Sequence, residues 1–219
     1  MGHWGQKDGG QKDRTAKAEM GGGRAVAPAH DMSERAPARG SALRRAVFLD
    51  RDGVLNRALI KDGKPNPPRS LAEFELLPGV PEACARLKQA GLLLVVATNQ
   101  PDVGRGTLAR ETVESLHAHL CRILPIDRVE VSYDSGHEQP PSELRKPRPG
   151  LLLRAGRDLG IDLQRSFMVG DRWRDIDCGH AVGCTTFLVD YGYAEELRCP
   201  PDFRVKNLAE AADQILRIL

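Results

Sequence analysis

The chain has 219 residues, of which 41% are apolar, and this is enough to form one sizeable domain with a buried core. Its formal net charge of +2 gives no overall basic field, which argues against a nucleic-acid-binding protein. The longest apolar run, 92–97, is far too short to span a bilayer, and no charged start followed by an apolar stretch indicates a secretory signal.

The five cysteines indicate the compartment. Their number is odd and no two have Cys-x-x-Cys spacing, which argues against a disulfide framework and for a reducing environment. We therefore expect a monomer in the cytoplasm, with no membrane or nucleic-acid partner.

The first 43 residues differ in composition from the rest. They are rich in Gly, Ala, Lys and Arg, and residues 1–45 carry a charge balance of +4. Such a segment buries too little apolar surface to offset its ordering entropy, so we predict a disordered basic tail over 1–43 and one domain over 44–219. We favour the interpretation that this tail is dispensable. The alternatives are that it is a weak polyanion-binding arm, or that it is an extension upstream of a later start of the protein at Met20 or Met32.

From Ala46 onwards, predicted strands and helices alternate. The strands are predicted at 45–50, 92–97, 129–133, 167–169 and 185–189. The helices are predicted at 79–90, from an N-cap at Thr107 through Leu124, at 150–159, through Ile176 and Ala181, and from an N-cap at Asn207. The polar segment 56–77 contains three prolines and is predicted to be an irregular flap.

This alternation predicts an α/β fold, a doubly wound parallel sheet with helices on both faces. In such sheets, ligands bind beyond the carboxyl ends of the strands. Asp50, Thr98 and Asp171 each follow directly on a predicted strand, so we expect them on one rim.

The residue types on this rim suit phosphoryl transfer. The carboxylates of Asp50 and Asp171, with a backbone carbonyl at Asp52, are ligands for a hard cation such as Mg²⁺. Lys146, in a loop that reaches the rim, and Thr98 are able to neutralise and bind phosphoryl oxygens. One aspartate is able to attack phosphorus, and the other to protonate the leaving alkoxide and then activate water.

Each motif also has an ordinary structural interpretation. Asp50-x-Asp52 and 98–100 suit turns, Lys146 suits a solvated surface, and Asp171 suits the start of a helix. Their joint occurrence, each after the appropriate element, favours the phosphoryl-transfer site.

Together these motifs resemble those of the haloacid dehalogenase (HAD) superfamily of phosphatases. The matching residues are Asp50-x-Asp52, Thr98, Lys146 and Gly170-Asp171-x-x-x-Asp175. The resemblance implies a HAD-type Rossmann-like domain with only a short flap and no large cap domain. It also implies that Asp50 is the nucleophile, that Asp52 is the general acid/base, that Asp50, Asp52 and Asp171 bind Mg²⁺, and that Thr98 and Lys146 stabilise the phosphoryl group.

The longer segments 48–56, 97–100 and 145–150, and Arg105-Gly106, resemble the D-glycero-D-manno-heptose-1,7-bisphosphate 7-phosphatase branch, with histidinol-phosphate phosphatases as near relatives. This implies hydrolysis of a small phosphorylated sugar, the heptose 1,7-bisphosphate, to its 1-phosphate. It also implies that the substrate is bound by Asn56, Arg57, Asn99, Gln100, Arg105 and Arg145. Open alternatives are another metabolite, such as histidinol phosphate, and a non-catalytic phospholigand-binding protein.

The chain departs from the branch at one position. Many members hold a structural zinc before Arg-Lys-Pro with Cys-x-His and Cys-x-Cys, where this chain reads Ser132-Tyr133-Asp134 and Ser142-Glu143-Leu144. Tetrahedral zinc needs thiolates or imidazoles, so we expect no structural zinc.

Overall fold

The computed structural model describes Met1 and residues 43–219, apart from 62 and 63. The described strands are β1 (Ala46–Leu49), β2 (Leu59–Lys61), β3 (Lys64–Asn66), β4 (Leu93–Asn99), β5 (Arg128–Ser132), β6 (Phe167–Gly170), β7 (Thr185–Val189) and β8 (Phe203–Val205). The described α-helices are α1 (Val80–Gln89), α2 (Pro101–Gly104), α3 (Arg110–Ile123), α4 (Gly150–Leu159), α5 (Trp173–His180) and α6 (Leu208–Arg217). The tail predicted over 1–43 lies, except for its two ends, outside the described residues.

Six strands form one parallel sheet in the order β5-β4-β1-β6-β7-β8. The strand order reverses between β4 and β6, on either side of the central β1. This arrangement confirms the predicted α/β fold. It also brings the carboxyl ends of β1, β4 and β6 to one edge of the sheet, where ligands bind in folds of this kind.

Two hydrophobic cores cover the two faces of the sheet. Along β1, Val47 and Leu49 pack into the core that contains α1 and α6, whereas Ala46 and Phe48 pack into the core that contains α4. A strand covered on both faces has no solvent side, which is why β1 and β4 read as continuous apolar runs.

The segment 56–77 is more regular than predicted. It contains β2 and β3, which pair antiparallel with Leu59 opposite Asn66, and a 3₁₀ turn at Leu71–Glu73. Its prolines argued against strands, yet the dipeptide Asp62-Gly63 is a common signal for a hairpin turn. The prediction of an irregular flap was therefore wrong.

Of the two N-caps predicted from the sequence, one is confirmed and one is wrong. Asn207 caps α6, since its side chain accepts a 2.9 Å hydrogen bond from the Glu210 amide. Thr107 does not cap α3, which begins at Arg110 after Ala109. Instead, the Thr107 amide and hydroxyl donate to the Asp102 carbonyl after the short helix α2, which the sequence did not predict. In the described part of the chain, no helix is long and apolar enough to cross a membrane.

Candidate active site

Three carboxylates meet at the carboxyl edge of the sheet. Asp50 follows β1, Asp171 follows the neighbouring β6, and Asp175 lies in the first turn of α5. One oxygen of each lies within 4.8 Å of the others, and all three side chains are largely buried.

Lys146 supplies the positive charge inside this cluster. Its buried ammonium lies 2.8 Å from Asp50 Oδ1 and 2.6 Å from Asp175 Oδ1, and it donates to the Ala97 carbonyl at 2.5 Å. Burial lowers the pKa of Lys146, but the two carboxylates outweigh this and raise the pKa above its ordinary value. The ammonium is therefore charged at neutral pH and holds the Asp50 carboxylate in place.

One lysine does not neutralise the three carboxylates. Burial raises the pKa of Asp50 to about 6, although Lys146 opposes this shift and Asp175 adds to it. Burial, followed by the charges of Asp50 and Asp175, raises the pKa of Asp171 well above its ordinary value. When ionised, the four groups sum to a charge of −2, which a divalent cation cancels. The all-oxygen donor set suits Mg²⁺, so these residues fit the predicted metal.

The Asp52 carboxylate lies outside this cluster and is held separately. The Arg51 guanidinium contacts both of its oxygens at 2.9–3.2 Å, Asn56 Nδ2 donates to Oδ1 at 2.9 Å, and Gln100 Nε2 donates to Oδ2 at 2.8 Å. Burial would raise the pKa of Asp52, but Arg51 and these hydrogen bonds hold it below its ordinary value. Only the backbone carbonyl of Asp52 is left as its possible contribution to the metal.

A cavity of about 180 Å³ opens over both groups of aspartates. Of the predicted phosphoryl- and substrate-binding residues, Thr98, Asn99, Arg105, Arg145 and Lys146 line it. The Asn99 side-chain amide exchanges two hydrogen bonds, of 2.9 and 3.0 Å, with the Lys146 backbone and so fixes the start of the Lys146 side chain.

Three other predicted substrate-binding residues lie elsewhere in the described structure. Asn56 and Gln100 are buried behind Asp52, with 0% and 1% exposure. Arg57 is exposed and pairs with Glu75 at 3.0 Å. These three side chains do not line the cavity in this structure, so a direct contact between them and substrate remains a prediction.

Sequence reasoning left several site residues unassigned. Asp175 belongs to the quoted Gly-Asp-x-x-x-Asp motif, so the sequence signal for it was present. Arg172 and Arg174, which also line the cavity, lie inside that motif's unspecified positions. Arg51 lies between the two motif aspartates, and nothing in the sequence connects it with its second partner, His117, in α3.

Gly53 is required where β1 turns into the site. Its φ is +93°, a left-handed conformation that favours glycine. A Cβ atom at this position would lie 2.3 Å from Asp171 Oδ2. Any side chain at residue 53 would therefore displace a carboxylate of the cluster.

The end of β5 and the loop from β5 to α4 contain the positions at which many members of the resembling branch carry zinc ligands. Asp134 Oδ2 accepts hydrogen bonds from Ser132 Oγ, at 2.6 Å, and from Ser142 Oγ. Leu144 packs against the core around α4. One carboxylate, two hydroxyls and a leucine do not fit tetrahedral zinc. Hydrogen bonds to Asp134 instead connect the end of β5 with the middle of the loop, and the Asp134 carbonyl accepts a 2.8 Å hydrogen bond from Arg145 Nη1.

Comparison with known proteins gives consistent matches. The HAD-hydrolase-like family model matches residues 143–211. The D-glycero-beta-D-manno-heptose-1,7-bisphosphate 7-phosphatase of Pseudomonas aeruginosa is 36% identical over 68% of this chain and 83% of its own length. The D-glycero-alpha-D-manno-heptose-1,7-bisphosphate 7-phosphatase of Burkholderia mallei is 35% identical over 79% of this chain and 88% of its own length.

A solved structure with the same fold carries ligands. The D,D-heptose 1,7-bisphosphate phosphatase of B. bronchiseptica, complexed with magnesium and phosphate, aligns with a TM-score of 0.69 and 29% identity. The alignment covers 80% of this chain and 99% of that one.

The loop from β5 to α4 generates the first prediction. Treatment with a strong chelator, followed by restoration of Mg²⁺, should leave the melting temperature and activity unchanged, because the loop contains hydrogen bonds in place of thiolate ligands. Elemental analysis that finds stoichiometric zinc in the purified protein would contradict this.

In the same loop, Asp134→Ala should lower the melting temperature by roughly 6 °C or more. It removes two hydrogen bonds to a charged group, worth about 1.5–3 kcal/mol each, and in a chain of this size about 1 kcal/mol shifts Tm by roughly 2–4 °C. Asp134→Asn keeps one acceptor oxygen and is the matched control. Thermal unfolding of both variants, measured by circular dichroism, should rank Asn between wild type and Ala, and equal melting temperatures for all three would refute the role of Asp134.

Proposed function

The chain belongs to the D-glycero-D-manno-heptose-1,7-bisphosphate 7-phosphatase family of HAD-type phosphomonoesterases, and from this membership we propose that it removes the 7-phosphate of a heptose 1,7-bisphosphate through an aspartyl-phosphate. The observation that carries the proposal is that three carboxylates, a lysine and a group of arginines line one cavity. Mg²⁺, held by Asp50, Asp171, Asp175 and the Asp52 carbonyl, would neutralise phosphoryl oxygens.

Asp50 is the proposed nucleophile in the first step. One of its oxygens bonds to phosphorus as the bond from phosphorus to the sugar oxygen breaks, and Asp52 passes a proton to that oxygen. Because the pKa of Asp52 lies below its ordinary value in the free protein, Asp52 must take up this proton from solvent when the substrate binds. The 2.8 Å contact with Lys146 supports this role, since it fixes the direction of the Asp50 carboxylate. Thr98, which also lines the cavity, would bind a phosphoryl oxygen.

The second step releases phosphate. A water oxygen bonds to phosphorus, the bond between phosphorus and Asp50 breaks, and Asp52 takes the proton of the attacking water. Asp52 suits this work because it lines the cavity while its carboxylate stays fixed from behind. Both steps depend mainly on positioning and charge neutralisation, as is general in phosphoryl transfer.

The arginines support a substrate with a second phosphate. Arg105, Arg145 and Arg174 line the same cavity. Burial, then the charges of Arg174 and Arg105, lower the pKa of Arg145, so the three guanidiniums lie close enough to repel one another. An anion between them relieves that repulsion, and guanidinium matches phosphate geometry.

The assay that tests the function measures phosphate release with and without Mg²⁺ from both anomers of the heptose bisphosphate, because relatives named for each anomer match at 36% and 35% identity. The panel also contains histidinol phosphate and other sugar phosphates. Preferred turnover of the heptose bisphosphate supports the proposal, and absence of metal-dependent turnover across the panel contradicts it.

The monomeric state and the cytoplasmic location also remain proposals. The five cysteines are free in the structure, and three of them are buried, which suits a reducing compartment. Light scattering coupled to size exclusion would measure the oligomeric state.

Asp50→Asn should abolish turnover while the protein stays folded. The substitution keeps the shape of the side chain but removes the charge and nucleophilicity of the attacking group, so activity should fall to the limit of detection. Circular dichroism monitors the fold, and phosphate binding measured by calorimetry in Mg²⁺ monitors the site. Substantial residual activity in a pure sample would show that Asp50 is not the attacking group.

Arg174→Gln should weaken the selectivity for a bisphosphate. Loss of one charged hydrogen bond costs about 1.5–3 kcal/mol, so kcat/KM for the heptose bisphosphate should fall by roughly 10- to 100-fold. For a sugar monophosphate it should change little. Arg157→Gln, at an exposed position on α4, is the matched control. An equal loss on both substrates would argue against binding of a second phosphate by Arg174.

A further inference from the structure

Arg51 is the largest fully buried side chain of the described residues, and it lies between the two motif aspartates. Its Nε and Nη2 atoms each contact both oxygens of Asp52, at 2.9–3.2 Å. Burial of a guanidinium costs free energy of desolvation, and an apolar side chain at the same position would stabilise the fold equally well. The position of Arg51 therefore calls for an explanation in terms of Asp52.

Arg51 is itself fixed by a second element. Its Nη1 lies 3.1 Å from Nε2 of His117, a buried residue of α3 that is 66 positions away in sequence. Arginine has donors only, so this ring nitrogen must be the unprotonated acceptor. The proton is then on Nδ1, which faces Glu114 Oε2 at 3.7 Å. Burial, followed by the charge of Arg51, lowers the pKa of His117 to about 4, which agrees with a neutral ring.

These contacts leave the Asp52 carboxylate a single orientation. Oδ1 accepts hydrogen bonds from Arg51 and Asn56, and Oδ2 accepts hydrogen bonds from Arg51 and Gln100. Rotation of the carboxylate would therefore break hydrogen bonds to both oxygens. The side chain nevertheless stays 17% exposed and lines the cavity. The fixed carboxylate thus keeps one open edge towards the site of reaction.

We propose that Arg51 and His117 are positioning residues for the second step: His117 fixes Arg51, and Arg51 aims the Asp52 carboxylate at the water that attacks the aspartyl-phosphate. This inference rests on the proposed function. It assigns to the α3 histidine a part in catalysis without any contact with substrate.

The test uses p-nitrophenyl phosphate with the full chain and Mg²⁺. Its phenolate leaves without help from an acid, so formation of the aspartyl-phosphate should not need a well-aimed Asp52. A misoriented Asp52 carboxylate should slow only the second step, in which water attacks the aspartyl-phosphate. Then kcat and KM fall by the same factor, kcat/KM stays unchanged, and phosphorylated Asp50 accumulates.

The informative variants are Arg51→Lys, which keeps the charge but loses the planar fork, and His117→Phe, which removes the acceptor for Arg51. For both we expect kcat to fall by about 10- to 100-fold, together with KM, and kcat/KM to stay within about threefold of wild type. A burst of p-nitrophenolate and a phosphorylated Asp50 peptide in mass spectrometry should accompany the fall. His117→Gln keeps an acceptor oxygen and should restore most of kcat.

Arg154→Lys is the matched control, because Arg154 in α4 pairs with the buried Glu130 of β5, and none of its described contacts is with the site residues named above. Misfolding removes active sites, so it lowers kcat and kcat/KM equally and leaves KM unchanged. That pattern in both Arg51→Lys and His117→Phe, or wild-type kinetics in either, would overturn the inference. If one variant does not fold, the other decides by the same criterion. The proposed function fails separately, when the wild-type protein shows no Mg²⁺-dependent turnover.

Discussion

The buried contact between Lys146 and the carboxylates of Asp50 and Asp175 is the constraint on which the site depends. An isolated buried charge is costly, so each of these groups is tolerable only while the others are in place. Removal of one partner of such a pair typically costs about 3–5 kcal/mol. The loop that carries Lys146 and the residue that follows β1, Asp50, must therefore be brought together, and the sheet order, with β4 next to β1, provides the place where they meet, since Lys146 also contacts Ala97 of β4.

The fold was largely predictable because β1 and β4 are covered on both faces and therefore appear as uninterrupted apolar runs. The elements that were missed have no such signal. The strands β2, β3 and β8 have three residues each, and α2 has four, too few for a period to be recognised. The strand β8 is held by its pairing with β7, and β2 and β3 pair with each other.

The site was predictable where a motif residue follows a strand. Asp50, Thr98 and Asp171 line one cavity because parallel strands end at one edge, and the loop that carries Lys146 reaches the same cavity. The contact from Arg51 to His117 was not predictable, because it connects residues 66 positions apart that share no period or motif. The carboxylate of Asp52 forms a separate pair with the neighbouring Arg51, which leaves the backbone carbonyl of Asp52 as the expected contribution of this residue to the metal site.

This separation divides the cavity into two electrostatic parts. The cluster, which carries −2 when its carboxylates are ionised, attracts a cation, whereas Arg51 and Asp52 form an ion pair that needs no further ion to stay in position. Asn56 and Gln100 each donate a hydrogen bond to the Asp52 carboxylate. The side chains left to distinguish one sugar phosphate from another are then those of the flap and of the arginine-lined wall. The aspartates and Lys146 thus form a buried layer at the end of the sheet, whereas the residues of the flap and the arginines line the rest of the cavity.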